Sequence, residues 1–189
     1  MVLESGLEGK VAAALLARRD VAMLQEQPTP VDFIDFEGRD RKHYFDFLAT
    51  MSDGRRVAIS VKPQARVTPR FREELFLIAS QVDPRYAAGV LLVTDQAVPP
   101  KVVTDALILN SVMLDRDYEA YASLAEILRT FRAPTTIQYL GSMLRRRTSG
   151  FRAVVRLIGA GLLLRVDHSP LSIASRVRAA DLVHVQEQP

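Results

Sequence analysis

A chain of 189 residues, 48% hydrophobic and 25% charged, has room for one domain of ordinary size plus a smaller one, and this balance argues against wholesale disorder. The absence of cysteine excludes disulfides, thiolate metal sites and thiol nucleophiles, and the longest apolar run, Leu157 to Leu164, is eight residues against the roughly 20 a bilayer span needs. The net charge of +3 is unevenly spread: residues 1–100 hold 13 basic and 14 acidic side chains, whereas residues 129–178 hold ten arginines against the single acid Asp167.

Leu3 to Arg18 is predicted helical from the spacing of Leu3, Leu7, Val11, Ala14 and Leu15, with Glu4 and Glu8 four apart on one face. Gln27-Pro28-Thr29-Pro30 breaks the helix and leads into a strand over residues 31–36. A turn at Glu37-Gly38-Arg39-Asp40 precedes a second strand, His43 to Met51, and Asp53-Gly54 turns the chain into a third, Arg56 to Val61. Arg70 to Val82 is an amphipathic helix with Phe71, Leu75, Ile78, Ala79 and Val82 inward. Ala88 to Val93 is a short apolar strand of the buried, parallel kind, and Lys101 to Leu109 is helical.

Beyond this point the character changes. Helices are expected over residues 117–132, 137–144 (Thr135 as cap) and 151–160. A strand at 162–166, a turn at Asp167-His168-Ser169-Pro170 and a return strand at 175–178 follow. Three helices and a small hairpin follow the pattern of a winged helix. The predicted fold is therefore α/β: a core domain over residues 1–114, and a small, mostly helical, basic domain over residues 115–189.

In the core, Asp46 in His43-Tyr44-Phe45-Asp46-Phe47 and Lys62 in Ile59-Ser60-Val61-Lys62-Pro63 lie on neighbouring strands, with a helical glutamate (Glu4 or Glu8) available above them. Phosphodiester hydrolysis uses such a set. Mg²⁺ takes hard oxygen ligands, commonly one or two carboxylates plus water and phosphate, and a lysine offsets the charge that develops. An acid and a lysine on adjacent strands also occur as an ordinary surface ion pair. In the basic half, Arg152 and Arg156 are spaced to share one helical face, with Arg145, Arg146 and Arg147 before them. Arginine suits phosphate forks and base edges, and the lack of interleaved aromatics favours duplex over single strands.

The stretches Ser5-Gly6-Leu7-Glu8, Gln25-Glu26-Gln27-Pro28, Lys42 to Phe47 and Asp53 to Pro63 resemble the TnsA-type endonuclease family, the nuclease subunits of heteromeric cut-and-paste transposases. The resemblance covers about residues 4–63. It implies a restriction-endonuclease-like core with a C-terminal winged-helix-like domain, Mg²⁺ or Mn²⁺ as cofactor, double-stranded DNA as substrate, cleavage at transposon ends and a transposase partner. On this resemblance Glu8, Asp46 and Lys62 fall on the catalytic positions, Glu4 being the alternative carboxylate one turn earlier. Asp46, Ser60 and Glu8 fall on the metal positions. Ser60 departs from the pattern: where the family carries an acidic or amide side chain, a hydroxyl is a shorter, neutral and weaker donor. That departure motivates a second expectation, a DNA-binding or adaptor protein without cleavage. Met1 is followed by Glu4 and Glu8 rather than a basic and then an apolar stretch, so no secretory leader is expected and a cytoplasmic location follows.

Overall fold

The computed structural model describes residues 2–113, 118–130, 133–144 and 150–180. The chain divides into two compact units, Met1–Val103 and Thr104–Pro189. Among the described residues no helix is long and apolar enough to cross a membrane.

The first unit opens with helix α1 (Val2–Leu16), followed by strands β1 (Val21–Glu26), β2 (Val31–Ile34), β3 (Asp40–His43), β4 (Phe47–Met51) and β5 (Arg56–Val61). Helix α2 (Pro69–Gln81), strand β6 (Gly89–Val93) and the start of helix α3 (Pro100–Met113) complete it. The main sheet runs β1-β4-β5-β6; β4 is antiparallel to both β1 and β5, and β6 is parallel to β5. β2 and β3 form a separate hairpin, turned at Gly38 with φ +77°, while Gly54 at φ +84° turns β4 into β5.

Side chains alternate across this sheet and divide the core in two. Phe47, Ala49 and Ile59 pack with Leu7 and Val11 of α1, whereas Leu48 and Ala58 pack with Leu75 and Ile78 of α2 and with Phe33 of the hairpin. The result is three layers, helix on sheet on helix. α2 begins where Thr68 accepts a hydrogen bond from the Phe71 amide at 3.1 Å and Pro69 presets the first turn.

Several sequence expectations are corrected here. Residues 43–51 do not form one strand: the chain bends between β3 and β4, because Phe45 packs on the α2 side and Phe47 on the α1 side although they are two residues apart. β1, not anticipated from the sequence, enters the sheet beside β4. Ala79 is exposed rather than inward. β6 is parallel to β5 as expected, but it lies at the sheet edge with Leu91 47% exposed, so it is not buried on both faces.

In the second unit, after α3, come α4 (Tyr118–Thr130), β7 (Thr135–Thr136), α5 (Ile137–Ser142), α6 (Gly150–Gly159), β8 (Leu163–Arg165) and β9 (Arg176–Ala179). The three strands pair antiparallel in the order β7-β9-β8. The cap of α5 is Thr136, which accepts from the Tyr139 amide at 3.1 Å; Thr135 instead pairs with Val177 in the sheet. Leu124, Ile137, Leu140, Val154, Leu157, Leu163 and Val177 fill one core. α5 and α6 approach through their backbones: a Cβ on Gly150 would stand 2.5 Å from the Gly141 carbonyl oxygen.

Candidate functional site

The bend between β3 and β4 sets the position of Asp46. Its amide donates to the Ile59 carbonyl at 2.9 Å and its own carbonyl accepts from the Gln27 amide at 2.9 Å, which ties it between β5 and the end of β1. The carboxylate is aimed by a third bond, Val61 N–H to Asp46 Oδ2 at 2.6 Å. A charge-assisted bond from a strand amide holds a carboxylate in one orientation without contributing a competing charge.

Asp46 lines a cavity of about 190 Å³ together with Glu8, Gly9 and Ala12 of α1, Glu26 and Gln27 at the end of β1, and Phe47. Two sequence-predicted acids, Glu8 and Asp46, therefore share one space. Glu4 lies outside the described side chains. Glu26 is a third acid on the wall that sequence reasoning missed, since β1 was not recognised as a strand; its place directly before Gln27-Pro28 was the available signal. Gln27 is the only described non-glycine residue with positive φ, at 44°. Holding a side-chain-bearing residue there costs on the order of 1 kcal/mol, and such strain gathers at sites that need a particular backbone path.

Ser60 follows Ala58 on one side of β5, and Lys62 comes directly after the strand. Ser60 is buried, and its Oγ lies 3.1 Å from His43 Nε2. His43 stacks edge-on against Phe45, with ring centroids 4.6 Å apart at 74°. Burial holds the His43 imidazole below its ordinary pKa, Asp46 opposes that shift and Lys62 adds to it, so both charges reach the ring. The Lys62 amide donates to the Val93 carbonyl at 3.0 Å, one step beyond the β5–β6 ladder, and its Nζ lies 4.2 Å from the centre of the Phe71 ring. Lys62 does not line the cavity of Glu8 and Asp46; His43 stands within electrostatic reach of both Asp46 and Lys62.

Among the described residues no group of three or more histidine, aspartate or glutamate side chains is spaced to hold a metal ion. Glu8, Glu26 and Asp46 thus share walls rather than converge on a point. Glu8, Glu26 and Asp46 on one cavity wall are hard oxygen donors of the class that Mg²⁺ takes from proteins when water and phosphate complete its shell.

In the second unit, Arg152 is half-buried and donates from Nη2 to the Ser111 carbonyl of α3 at 2.8 Å. Arg156 is half-buried on α6, and Arg145, Arg146 and Arg147 lie outside the described residues. Arg165 is a structural hub: Nη1 donates to Asp105 Oδ2 and Nη2 to Asp167 Oδ1, both at 2.7 Å, and Nη2 also to the Ser169 carbonyl. Asp105 also accepts the Leu171 amide at 2.6 Å, and Asp167 accepts the Arg176 amide, so the loop between β8 and β9 is pinned at both ends.

No known protein-family model and no curated protein sequence matches the chain.

Proposed function

We propose that the chain is a metal-dependent DNA endonuclease of the TnsA type, hydrolysing a phosphodiester at transposon ends in the cytoplasm, at sites chosen by a transposase partner. The observation that carries this reading is the pairing of Glu8 and Asp46 on one cavity, with the Asp46 carboxylate fixed by the Val61 amide. Those two carboxylates would hold Mg²⁺ or Mn²⁺. When bound, such an ion acidifies a water and offsets phosphoryl charge.

The chain's own groups supply the rest. Asp46 keeps its orientation through a backbone donor, so the carboxylate needs no reorganisation. Lys62, its ammonium resting on the Phe71 ring, provides a positive charge at the end of β5 for the phosphate. His43, whose imidazole burial holds below its ordinary pKa, pairs with Ser60. In the second unit the order helix, strand, helix, helix, strand, strand supports a winged-helix-like reading, with Arg145–Arg147, Arg152 and Arg156 as its candidate contacts to duplex DNA.

The test is nicking of supercoiled plasmid with Mg²⁺ or Mn²⁺, with the transposase partner present. Asp46→Ala and Lys62→Ala are each expected to abolish nicking, and nicking unaffected by both overturns the proposal. The burial of Ser60 against His43 favours a second reading, a DNA-binding adaptor without cleavage. It predicts duplex binding that Asp46→Ala leaves unchanged and no saturable Mn²⁺ site.

A further inference from the structure

A strand at the edge of a sheet presents unpaired backbone groups, and folded proteins guard such edges with charge, proline or bulges. The first unit guards two of its edges in this way. β1 is bulged between Val21 and Met23 and carries Glu26, and β3 carries Asp40, Arg41 and Lys42. β6, at the other edge of the main sheet, has none of these devices. Residues 86–94 hold no charged side chain and no proline, and the register between β5 and β6 runs without a shift.

The direction of the β6 backbone follows from the ladder. The Val93 carbonyl accepts from the Lys62 amide at 3.0 Å, so Val93, and with it Leu91, turns its backbone groups towards β5. Val90 and Leu92 alternate with them and turn their N–H and C=O groups outward, where among the described residues no strand pairs with them. Leu91 is the register partner of Ile59 and shares the α1 side of the sheet with it, yet Leu91 is 47% exposed. Gly89, two residues earlier on that side, is exposed as well.

We infer that β6 is a self-association surface, pairing antiparallel with β6 of a second copy of this chain about a two-fold axis at Leu91. With Leu91 on the axis, Val90 of each copy lies opposite Leu92 of the other, and these are the residues whose backbone groups point outward. Each such pair exchanges both of its hydrogen bonds, while the two Leu91 residues meet in the closely spaced, non-hydrogen-bonded position with Cα atoms about 4.5 Å apart. One register therefore satisfies the outward backbone and covers the exposed leucine. A second copy fits because the strand is uncharged, so no like charges meet across the axis, and because the bulge in β1 blocks the other edge and closes the assembly at a dimer. Pairing through five residues makes a small interface, below the roughly 1,200 Å² of stable complexes, so association belongs to concentrated solution. The inference does not depend on the nuclease reading.

The test is sedimentation velocity of the full chain over a loading series reaching about 500 µM, a range suited to a weak, small interface. A monomer–dimer equilibrium is expected. Leu91→Lys and Leu91→Glu, each checked for folding by circular dichroism, are each expected to weaken it at least about tenfold. An equimolar mixture of the two is expected to restore it, because position 91 faces itself in this register alone. Oxidation of Leu91→Cys, in a chain with no other cysteine, is expected to give a disulfide-linked dimer faster than Met23→Cys, whose site on β1 is 57% exposed. Four results overturn the inference: a chain that stays monomeric, whether or not an added extended peptide pairs with β6; a dimer that both charge substitutions leave intact; a mixture no more associated than its components; or crosslinking at position 91 no faster than at position 23.

Discussion

Replacing Gly150 by alanine puts a methyl group into space already held by the backbone of α5. The new Cβ stands 2.5 Å from the Gly141 carbonyl oxygen and 2.8 Å from its carbonyl carbon and Cα. Ordinary contact between such atoms is about 3.5 Å, so the two helices must part by roughly 1 Å, and neither neighbour is a side chain that can swing away. The move disturbs Ile137, Leu140, Val154 and Leu157, all fully buried, and overpacking of this kind costs about 1–3 kcal/mol. The helix-propensity gain of alanine over glycine is at most about 1 kcal/mol and smaller at a first helical residue. A net loss of about 1–2 kcal/mol follows from these terms, or about 4–8 °C in melting temperature per kcal/mol for a unit of this size. Circular dichroism at 222 nm read with amide exchange of α5 and α6 assigns the change to the second unit. Gly6→Ala on α1, where a Cβ meets nothing within 4 Å, is expected to be neutral or stabilising in the same assay. A Gly150→Ala chain melting at or above the unaltered chain refutes the close-approach argument.

Arg165→Met leaves Asp105 and Asp167 largely buried without their cation, and the second unit is expected to lose roughly 3 kcal/mol in urea titration. Asp167 is held down to about 2, first by the Arg165 bond and then by the Arg176 amide and the Ser169 hydroxyl, against the opposing effect of burial. An unfolded aspartate titrates near about 3.9, so this stabilisation is complete above that pH and is lost as the pH falls toward 2. Melting of the second unit followed from pH 5 to pH 2 should show the loss, and Asp167→Asn should flatten the profile. Thr68→Ala removes the acceptor at the start of α2 and is expected to cost the first unit about 1 kcal/mol, read as a shift in its urea midpoint.

α2 was legible because Pro69 marks its start and Phe71, Leu75 and Ile78 repeat at helical spacing; the turns at Gly38 and Gly54 were legible because a positive φ is what glycine supplies there. β1 was not: Val21-Ala22-Met23-Leu24-Gln25-Glu26 shows no alternation, and four of its six residues are exposed. With β1 unseen, Glu26 had no place beside Asp46. The division of His43 to Met51 into two strands depends on which core each phenylalanine enters, a tertiary choice that strand periodicity does not encode. Ser60 was visible as a departure in the motif, but its pairing with His43 comes from the bend at Asp46. The partners of Arg152 and Arg165, the Ser111 carbonyl and Asp105, lie 41 and 60 residues away in the chain, beyond the reach of any local spacing pattern.

The central claim is that Glu8 and Asp46 together hold a divalent ion. Titration of Mn²⁺ into the full chain with duplex DNA, followed by the electron paramagnetic resonance signal of the free ion, measures this apart from catalysis. The account predicts one saturable site, weakened at least about tenfold by Glu8→Gln and by Asp46→Asn, in line with the loss of one carboxylate ligand. No saturable site, or a site that both substitutions leave intact, contradicts it.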